Sequence, residues 1–431
     1  MRHAAVIKIR NMSNSTYPTH SKDSRRMKHL LVAFLCLLAF ATGLSAQSTR
    51  ADLAKIRVSK EGNFKYWNSN SPALQQLKDF VADVTNENSD KFVPVCDRIA
   101  TFDVDGTLLC ETAPYYFNWI LFIHRFLYDD TFSPTEEQLS FAKGVEDCVM
   151  NQKSMPEGWG DRQQEEQAMG FAGLTQKEVE DYVTNFIEAE PVWNLSNLTW
   201  GTALYWPMIE VVSYLVANDF QVYICSGVDR DVCHAIVKDI YDIPRYRIMS
   251  SDVYYLPENL LKEKDYKGAP FFENYSFDQL KGQRVVRGAF KNLCTSFNKV
   301  DAITRELAQK PILAWGNSTG DFPMFDFITA DNPYPSIAFC LLCDDTDREF
   351  GNPSKAEKCK NACEQNGWIG VSMHDGWATI YGPEVQRQIP TAVNAINLDA
   401  TQAPVYNLQG QRVTSSFRGV NIQSGKKYLS R

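Results

Sequence analysis

Two carboxylates, Asp103 and Asp105, stand two residues apart where Ile99-Ala-Thr-Phe102 ends and Gly106-Thr107 begins. The apolar and β-branched run reads as a short buried strand, and Gly106 permits a sharp turn after it. Two carboxylates beside a loop of free backbone N–H groups, Gly106 and Thr107 among them, suit a hard cation such as Mg²⁺. That ion takes oxygen ligands from one or two carboxylates and from a substrate phosphate. The pair also suits covalent catalysis, with Asp103 attacking phosphorus and Asp105 passing a proton to the leaving alcohol.

Three later stretches fit the same chemistry. Gln221–Cys225 reads as a strand, followed by a Ser226-Gly227 turn and a helix over Asp229–Tyr241. A hydroxyl and N–H groups at a helix start form an anion site, with Ser226 and Gly227 against the phosphoryl group. Lys299 opens a helix to Leu307 that leads into the strand Pro311–Trp315. Its ammonium can reach both Asp103 and the phosphate and offset their crowded negative charge. Lys291 is the weaker competitor, being farther from that strand. The Gly-bounded loop Gly316-Asn-Ser-Thr-Gly-Asp321 follows directly. It offers Asn317 and Asp321 as oxygen ligands beside Asp103 and Asp105.

Taken in order, these four stretches resemble the signature of the haloacid dehalogenase-like (HAD) phosphatases, which opens with Asp-x-Asp-Gly-Thr. The second Asp is the mark of the phosphatase and phosphomutase branches. The resemblance covers roughly residues 95–385 and implies an α/β fold. Its core would be a Rossmann-like parallel sheet whose C-terminal edge carries the site, with an inserted helical cap. It implies Asp103, Asp105 and Lys299 as catalytic residues, Mg²⁺ as cofactor and a small phosphorylated substrate. Family members often carry Asp where this chain has Asn317, which leaves the ligand share of Asn317 and Asp321 open. Cys110-Glu111, Trp206-Pro207-Met208, Asp345–Glu349 and Gly367-Trp368…Trp377 look like an exported bacterial branch near the phosphoserine phosphatases. A phosphotransferase or phosphomutase on the same scaffold is the alternative among enzymes. A catalytically silent surface module binding a phosphorylated ligand is the alternative outside them.

The elements that must position these residues can be read from pattern. Residues 47–97 form a lead-in with a helix over Ala73–Val84, packed across the catalytic domain. Residues 98–390 form the core. Residues 111–201 read as an inserted bundle that closes over the site, keeps water out and selects substrate. Pro114–Tyr128 is its first helix, and Ser133-Pro-Thr-Glu136 and Thr175-Gln-Lys-Glu178 read as capping boxes. Glu111 and Tyr115 lie early in this insertion and are candidate substrate contacts. The insertion is rich in aromatics and lacks clustered Lys or Arg. An ammonium or apolar group fits it better than a second phosphate, which favours phosphoserine- or phosphocholine-like esters. Trp206-Pro207 opens the next helix, Met208–Ala217.

The chain has 431 residues. Arg25, Arg26 and Lys28, the apolar run Leu30–Phe40 and Leu44-Ser45-Ala46 have the charge, length and small-residue pattern of an export signal cleaved before Gln47. Met27 is the expected start, which makes residues 1–26 an over-long N-terminus. Residues 1–46 hold seven Lys/Arg and one acid, so the remainder carries 37 basic and 51 acidic side chains, a net charge of about −14. That balance excludes a basic nucleic-acid-binding face. No later stretch is long and apolar enough for a transmembrane helix. The expected location is the periplasm or the cell surface.

Eleven cysteines are present, Cys36 within the signal. Cys340-x-x-Cys343 and Cys359-x-x-x-Cys363 have zinc-like spacing, but a strand over Ser336–Leu342 would turn Cys340 and Cys343 to opposite faces. Export favours disulfides instead, with Cys343 pairing to Cys359 or Cys363. From about Thr391 the texture changes to short strands with turns at Gly410 and Ser424-Gly425. Residues 391–431 resemble the small β tail of exported Bacteroidetes proteins, an appendage for sorting or attachment.

Overall fold

The computed structural model describes residues 47–111, 116–261 and 276–388, together with the backbone of four strands between 405 and 430. The expected export signal, Met27 and Tyr115 lie outside the described residues. Seven strands form the main sheet: β1 (Ile99–Phe102), β2 (Gln221–Asp229), β3 (Ile248–Pro257), β4 (Val285–Asn292), β5 (Leu313–Gly316), β6 (Ile337–Leu342) and β7 (Ile369–Ser372). Their spatial order is β4-β3-β2-β1-β5-β6-β7, with only β4 antiparallel to its neighbour. This is the expected α/β, Rossmann-like parallel sheet. All four residues of β1 are buried, as a strand flanked on both edges and covered on both faces requires. Phe102, Trp315 and Phe339 occupy matching register on β1, β5 and β6 and stack, with centroids 6.2 and 4.3 Å apart. This aromatic ladder fixes the register of the central strands just before the chain leaves the sheet.

The segment before β1 packs on the core helices. Its helix α1 (Pro72–Thr85) starts at Ser71, which caps it, with Pro72 in the first turn. The N–H groups of Lys65 and Tyr66 donate to the buried Glu210 carboxylate (2.8 and 3.0 Å), and Trp67 Nε1 donates to the Pro207 carbonyl (2.9 Å).

The inserted helices are α2 (Phe117–Ile123), α3 (Glu136–Met150), α4 (Trp159–Gly170) and α5 (Gln176–Ala189). A π-helical turn, His124–Tyr128, extends α2. The first capping box falls on Thr135 and Gln138, not on Ser133 and Glu136, because the helix begins two residues later than expected. The box at Thr175 and Glu178 forms as read. The two ends of the insertion are held together: Cys110 N donates to Ala203 O (2.8 Å) and Tyr205 N to Leu108 O (3.0 Å). Most of its aromatics pack on one another, Phe117 against Phe186 and Trp200, and Phe122 against Phe126 and Phe141.

Core helices follow the strands: α6 (Trp206–Ala217), α7 (Arg230–Val237), α8 (Phe297–Glu306), α9 (Phe322–Thr329) and α10 (Pro353–Asn366). An ion-pair network ties the insertion to this core. Arg287 of β4, 1 % exposed, pairs with Asp229 and Asp231, and Tyr255 also donates to Asp231 (3.0 Å). Arg245 joins Asp231 to Glu180 of α5, which also takes His234 (2.7 Å) and Lys238 (2.9 Å). Gly173 and Leu174 exchange backbone hydrogen bonds with Arg287, so the segment between α4 and α5 borders β4 (2.8 Å each).

The cysteines correct one expectation. All ten described cysteines are unbridged, and Cys340, not Cys343, meets Cys359 and Cys363. Cys340 on β6 and Cys343, one residue past it, pack into different parts of the core, and α10 covers the Cys340 side. Cys343 instead bonds the Asn352 carbonyl at 3.6 Å. The tail strands β8 (Val405–Asn407), β9 (Arg412–Val413), β10 (Gly419–Gln423) and β11 (Lys426–Ser430) form an antiparallel sheet of their own, in the order β9-β8-β10-β11.

Candidate active site

Asp103 is the first residue beyond β1, and its N–H donates to the Trp315 carbonyl on β5 (3.0 Å). The next residues fold into a tight turn in which Thr107, Leu108 and Leu109 all donate to the Val104 carbonyl (3.1, 2.8 and 2.9 Å) and Gly106 N donates to Leu109 O (2.7 Å). The open cradle expected of Gly106 and Thr107 is therefore closed, because those N–H groups hold the turn together. The N–H groups of Val104 and Asp105 take no part in it. Gly106 has φ +70°, and a Cβ there would come within 1.9 Å of Asn317 Nδ2 and 2.3 Å of Glu111 Oε2. Only glycine fits both the backbone and the space.

Lys299 sits in the first turn of α8, 2 % exposed, and lies between two acids. Its Nζ is 2.9 Å from Asp103 Oδ1 and 2.5 Å from Asp321 Oδ1. Burial lowers the pKa of this ammonium, but Asp103 and Asp321 outweigh burial and hold it well above the ordinary lysine value. The competitor Lys291 instead lies over the Tyr254 ring on β4 and β3. Asp103 is pushed up to about 6 by burial, against the pull of Lys299. Asp105 is held well above the usual carboxylate range, by burial first and then by the charges of Asp103 and Glu111. Asp105 Oδ1 and Thr107 Oγ1 are buried with no hydrogen-bond partner among the described residues. A buried acceptor in that state calls for a cation or a proton from another group.

The loop after β5 sorts the two remaining acceptors. Asp321 Oδ2 accepts from Asn317 N (2.9 Å), Ser318 N (3.0 Å) and Ser318 Oγ (3.1 Å), while its Oδ1 takes Lys299. A Cβ on Gly316 would lie 2.4 Å from Asp321 Cγ, so the strand end must be glycine for the loop to close on this carboxylate. With four donors already on it, Asp321 orients Lys299 and the loop. Asn317 gives its Nδ2 to Glu111 and lies over Gly106, which leaves its amide oxygen for a cation.

Ser226 and Gly227 lie at the C-terminal edge of the sheet, but inside β2 and not in a turn. β2 runs on to Asp229 through an irregular register against β3, and Ser250 and Ser251 fasten it by donating to Ser226 O (3.0 Å) and Gly227 O (2.7 Å). The following helix is shorter than expected and its N-terminus is already capped: Asp229 Oδ1 accepts from Asp231 N (3.0 Å) and Val232 N (3.3 Å). An anion therefore meets the edge of β2 and not the end of α7. The Ser226 hydroxyl is buried and accepts from Val228 N at 3.3 Å.

Glu111 is not free for a substrate cation. Both its oxygens accept from Lys355 Nζ (2.7 and 2.6 Å), in addition to the bond from Asn317. Lys355, in the first turn of α10, carries no motif that could have marked it in the sequence. A cavity of about 280 Å³ opens from Asp105 and Gly227 toward α2 and α4 of the insertion, with Trp119 and Asp161 on its wall.

The fold and site thus define an α/β chain with a carboxylate–lysine–carboxylate cluster at the end of its central strand and a helical insertion above it. No protein-family profile and no curated protein sequence matches the chain. Among solved structures it is similar to a conserved protein of unknown function from Anaerococcus prevotii DSM 20548, at 11% identity, covering 73% of this chain and 94% of that one with a TM-score of 0.44. It is similar to cytosolic 5′-nucleotidase IIIB bound to cytidine at 10% identity, over 70% and 87% of the two chains, with a TM-score of 0.41. A phosphoserine phosphohydrolase-like protein from Francisella tularensis subsp. tularensis SCHU S4 shares 14% identity over 63% and 94%, with a TM-score of 0.32.

Proposed function

We propose that this chain is an exported, Mg²⁺-dependent phosphomonoesterase of the HAD type. Its substrate would be a small phosphoserine- or phosphocholine-like ester, hydrolysed through an aspartyl phosphate. The observation that carries the reading is Lys299, buried and charged between Asp103 and Asp321 at the end of β1, beside a buried Asp105 oxygen with no partner among the described residues. An uncommitted structural cluster would satisfy that oxygen.

In the first step an Asp103 oxygen attacks phosphorus, the bond from phosphorus to the ester oxygen breaks, and Asp105 gives its proton to that oxygen. Burial and the charges of Asp103 and Glu111 raise the Asp105 pKa, which favours the protonated form this step needs. In the second step Asp105 takes a proton from water as the water oxygen attacks phosphorus, and the bond to Asp103 breaks. Lys299, the Ser226 hydroxyl and the N–H groups of Val104 and Asp105 offset charge on the transferring group. Among the described residues no group of three or more His, Cys, Asp or Glu is arranged as a metal site. The Asp103 carboxylate, an Asp105 oxygen and the Asn317 amide oxygen would give instead the sparse oxygen set that suits Mg²⁺. When bound, the ion would neutralise phosphate charge and orient it. Phosphate release from a panel of small esters is expected with Mg²⁺ and to fall to background in excess chelator, recovering on re-addition. Turnover that chelation leaves untouched would remove the metal from the reading.

The export part rests on the charge, length and small-residue pattern of residues 25–46. Among the described residues no helix is long and apolar enough to cross a membrane. Protein recovered from the native cell is expected to begin at or near Gln47. Bulk protein beginning at Met1 or Met27 would overturn it.

A further inference from the structure

Among the described residues, the cavity above Asp105 is lined by the aromatic rings of Tyr116 and Trp119, by uncharged amides and by a single acid other than Asp105, with no Lys, Arg or His on its wall. That acid, Asp161, lies in the first turn of α4 and has no ion-pair partner among the described residues. The cation next to it in sequence is committed elsewhere: Arg162 pairs with Glu137 (3.0 Å) and Glu166 (3.6 Å) and lies over the Phe141 ring. The amides are not loose. Gln163 donates to Gln167 (2.6 Å) and Gln167 to Asn118 (2.8 Å), all three buried. This chain of bonds holds the wall between α2 and α4 in one arrangement. A leaving group with a carboxylate or second phosphate would meet no counter-charge here and would face Asp161. An ammonium group would meet both a carboxylate and an aromatic face. The volume, about 280 Å³, is at the small end of ligand sites and suits a compact group.

We propose that the enzyme selects phosphate monoesters of small amino alcohols whose cation has no accompanying carboxylate, with Asp161 and Trp119 reading the cation. This narrows the phosphatase reading above and rests on it: the phosphoryl group at Asp103 places the alcohol part in this cavity. It disfavours phosphoserine, whose carboxylate meets no cation among the described residues of the wall, and it moves the recognition from Glu111, which Lys355 holds, to α2 and α4.

The test compares phosphocholine with 3,3-dimethylbutyl phosphate, the same shape with carbon in place of the charged nitrogen. The wild-type protein is expected to favour phosphocholine in kcat/KM, chiefly through KM. In Asp161→Asn and in Trp119→Leu the ratio of the two kcat/KM values is expected to fall about tenfold, the scale of one lost ion or cation–π contact. In Asp161→Lys, phosphoserine is expected to gain on phosphocholine. A wild-type ratio near one, or a ratio that both variants leave unchanged, would overturn the proposal while hydrolysis of either ester keeps the phosphatase reading intact. Failure of the wild type to release phosphate from any ester in Mg²⁺ would instead overturn that underlying reading, and this proposal with it.

Discussion

Asp103→Asn is expected to abolish phosphate release, by on the order of 10⁴-fold or more in kcat, as removal of a covalent nucleophile does. The amide has the carboxylate's shape and keeps its place at the strand end, but it cannot attack phosphorus. The fold is expected to stay intact. The side chain is 11 % exposed, and burial already disfavours its charge against the pull of Lys299. Losing that charge removes a desolvation cost, and Lys299 keeps its bond to Asp321. Thermal melting in chelator is expected to be unchanged or higher. A folded variant with substantial Mg²⁺-dependent release would sink the covalent mechanism.

The site was legible where chemistry and strand ends coincide. Asp103 and Asn317 lie just past the C-terminal ends of β1 and β5, Ser226 lies within the last stretch of β2, and a short apolar run followed by Gly or an acid marks such an edge in the sequence. Lys299 was legible because a lysine opening a helix just ahead of β5 has one direction in which to meet the acids. The sheet itself followed from the alternation of such runs with helical periodicity.

What the sequence hid depends on contacts between distant residues. Lys355 reaches Glu111 across 244 positions, and nothing local distinguishes it from a solvated lysine. Arg287 reads as an ordinary strand residue, yet it is buried between Asp229 and Asp231 and holds the insertion's anchor to the core. The Ser226-Gly227 pair looked like a turn because Gly punctuates turns. The hydroxyls of Ser250 and Ser251 bind the carbonyls of that segment and keep it in the sheet. The Ser133 box lost to Thr135 because two hydroxyl residues lie two positions apart and the pattern admits either.

Lys299→Met is expected to damage stability and turnover together. The thioether chain fills most of the space of the lysine stem but brings no charge. Asp103 and Asp321, with side chains 11 % and 1 % exposed, are then left facing each other without the cation between them. Removing one partner from a buried ion cluster costs about 3–5 kcal/mol. The loss of charge compensation at the phosphoryl site costs a further factor of about 10²–10³ in kcat. The pH dependence separates this account from simple loss of packing. Asp103 already has a pKa of about 6 with Lys299 beside it, above the unfolded carboxylate value, and losing that cation raises it further. The folded variant therefore binds a proton more tightly than the unfolded chain does, so stability falls as pH rises. In chelator the deficit relative to wild type is expected to shrink as pH drops below about 6 and to be largest above neutrality. Denaturant melts of both proteins across that range read it directly. A deficit of the same size throughout would show that Lys299 supports the site by packing alone, and that its charge does not hold Asp103 and Asp321 together.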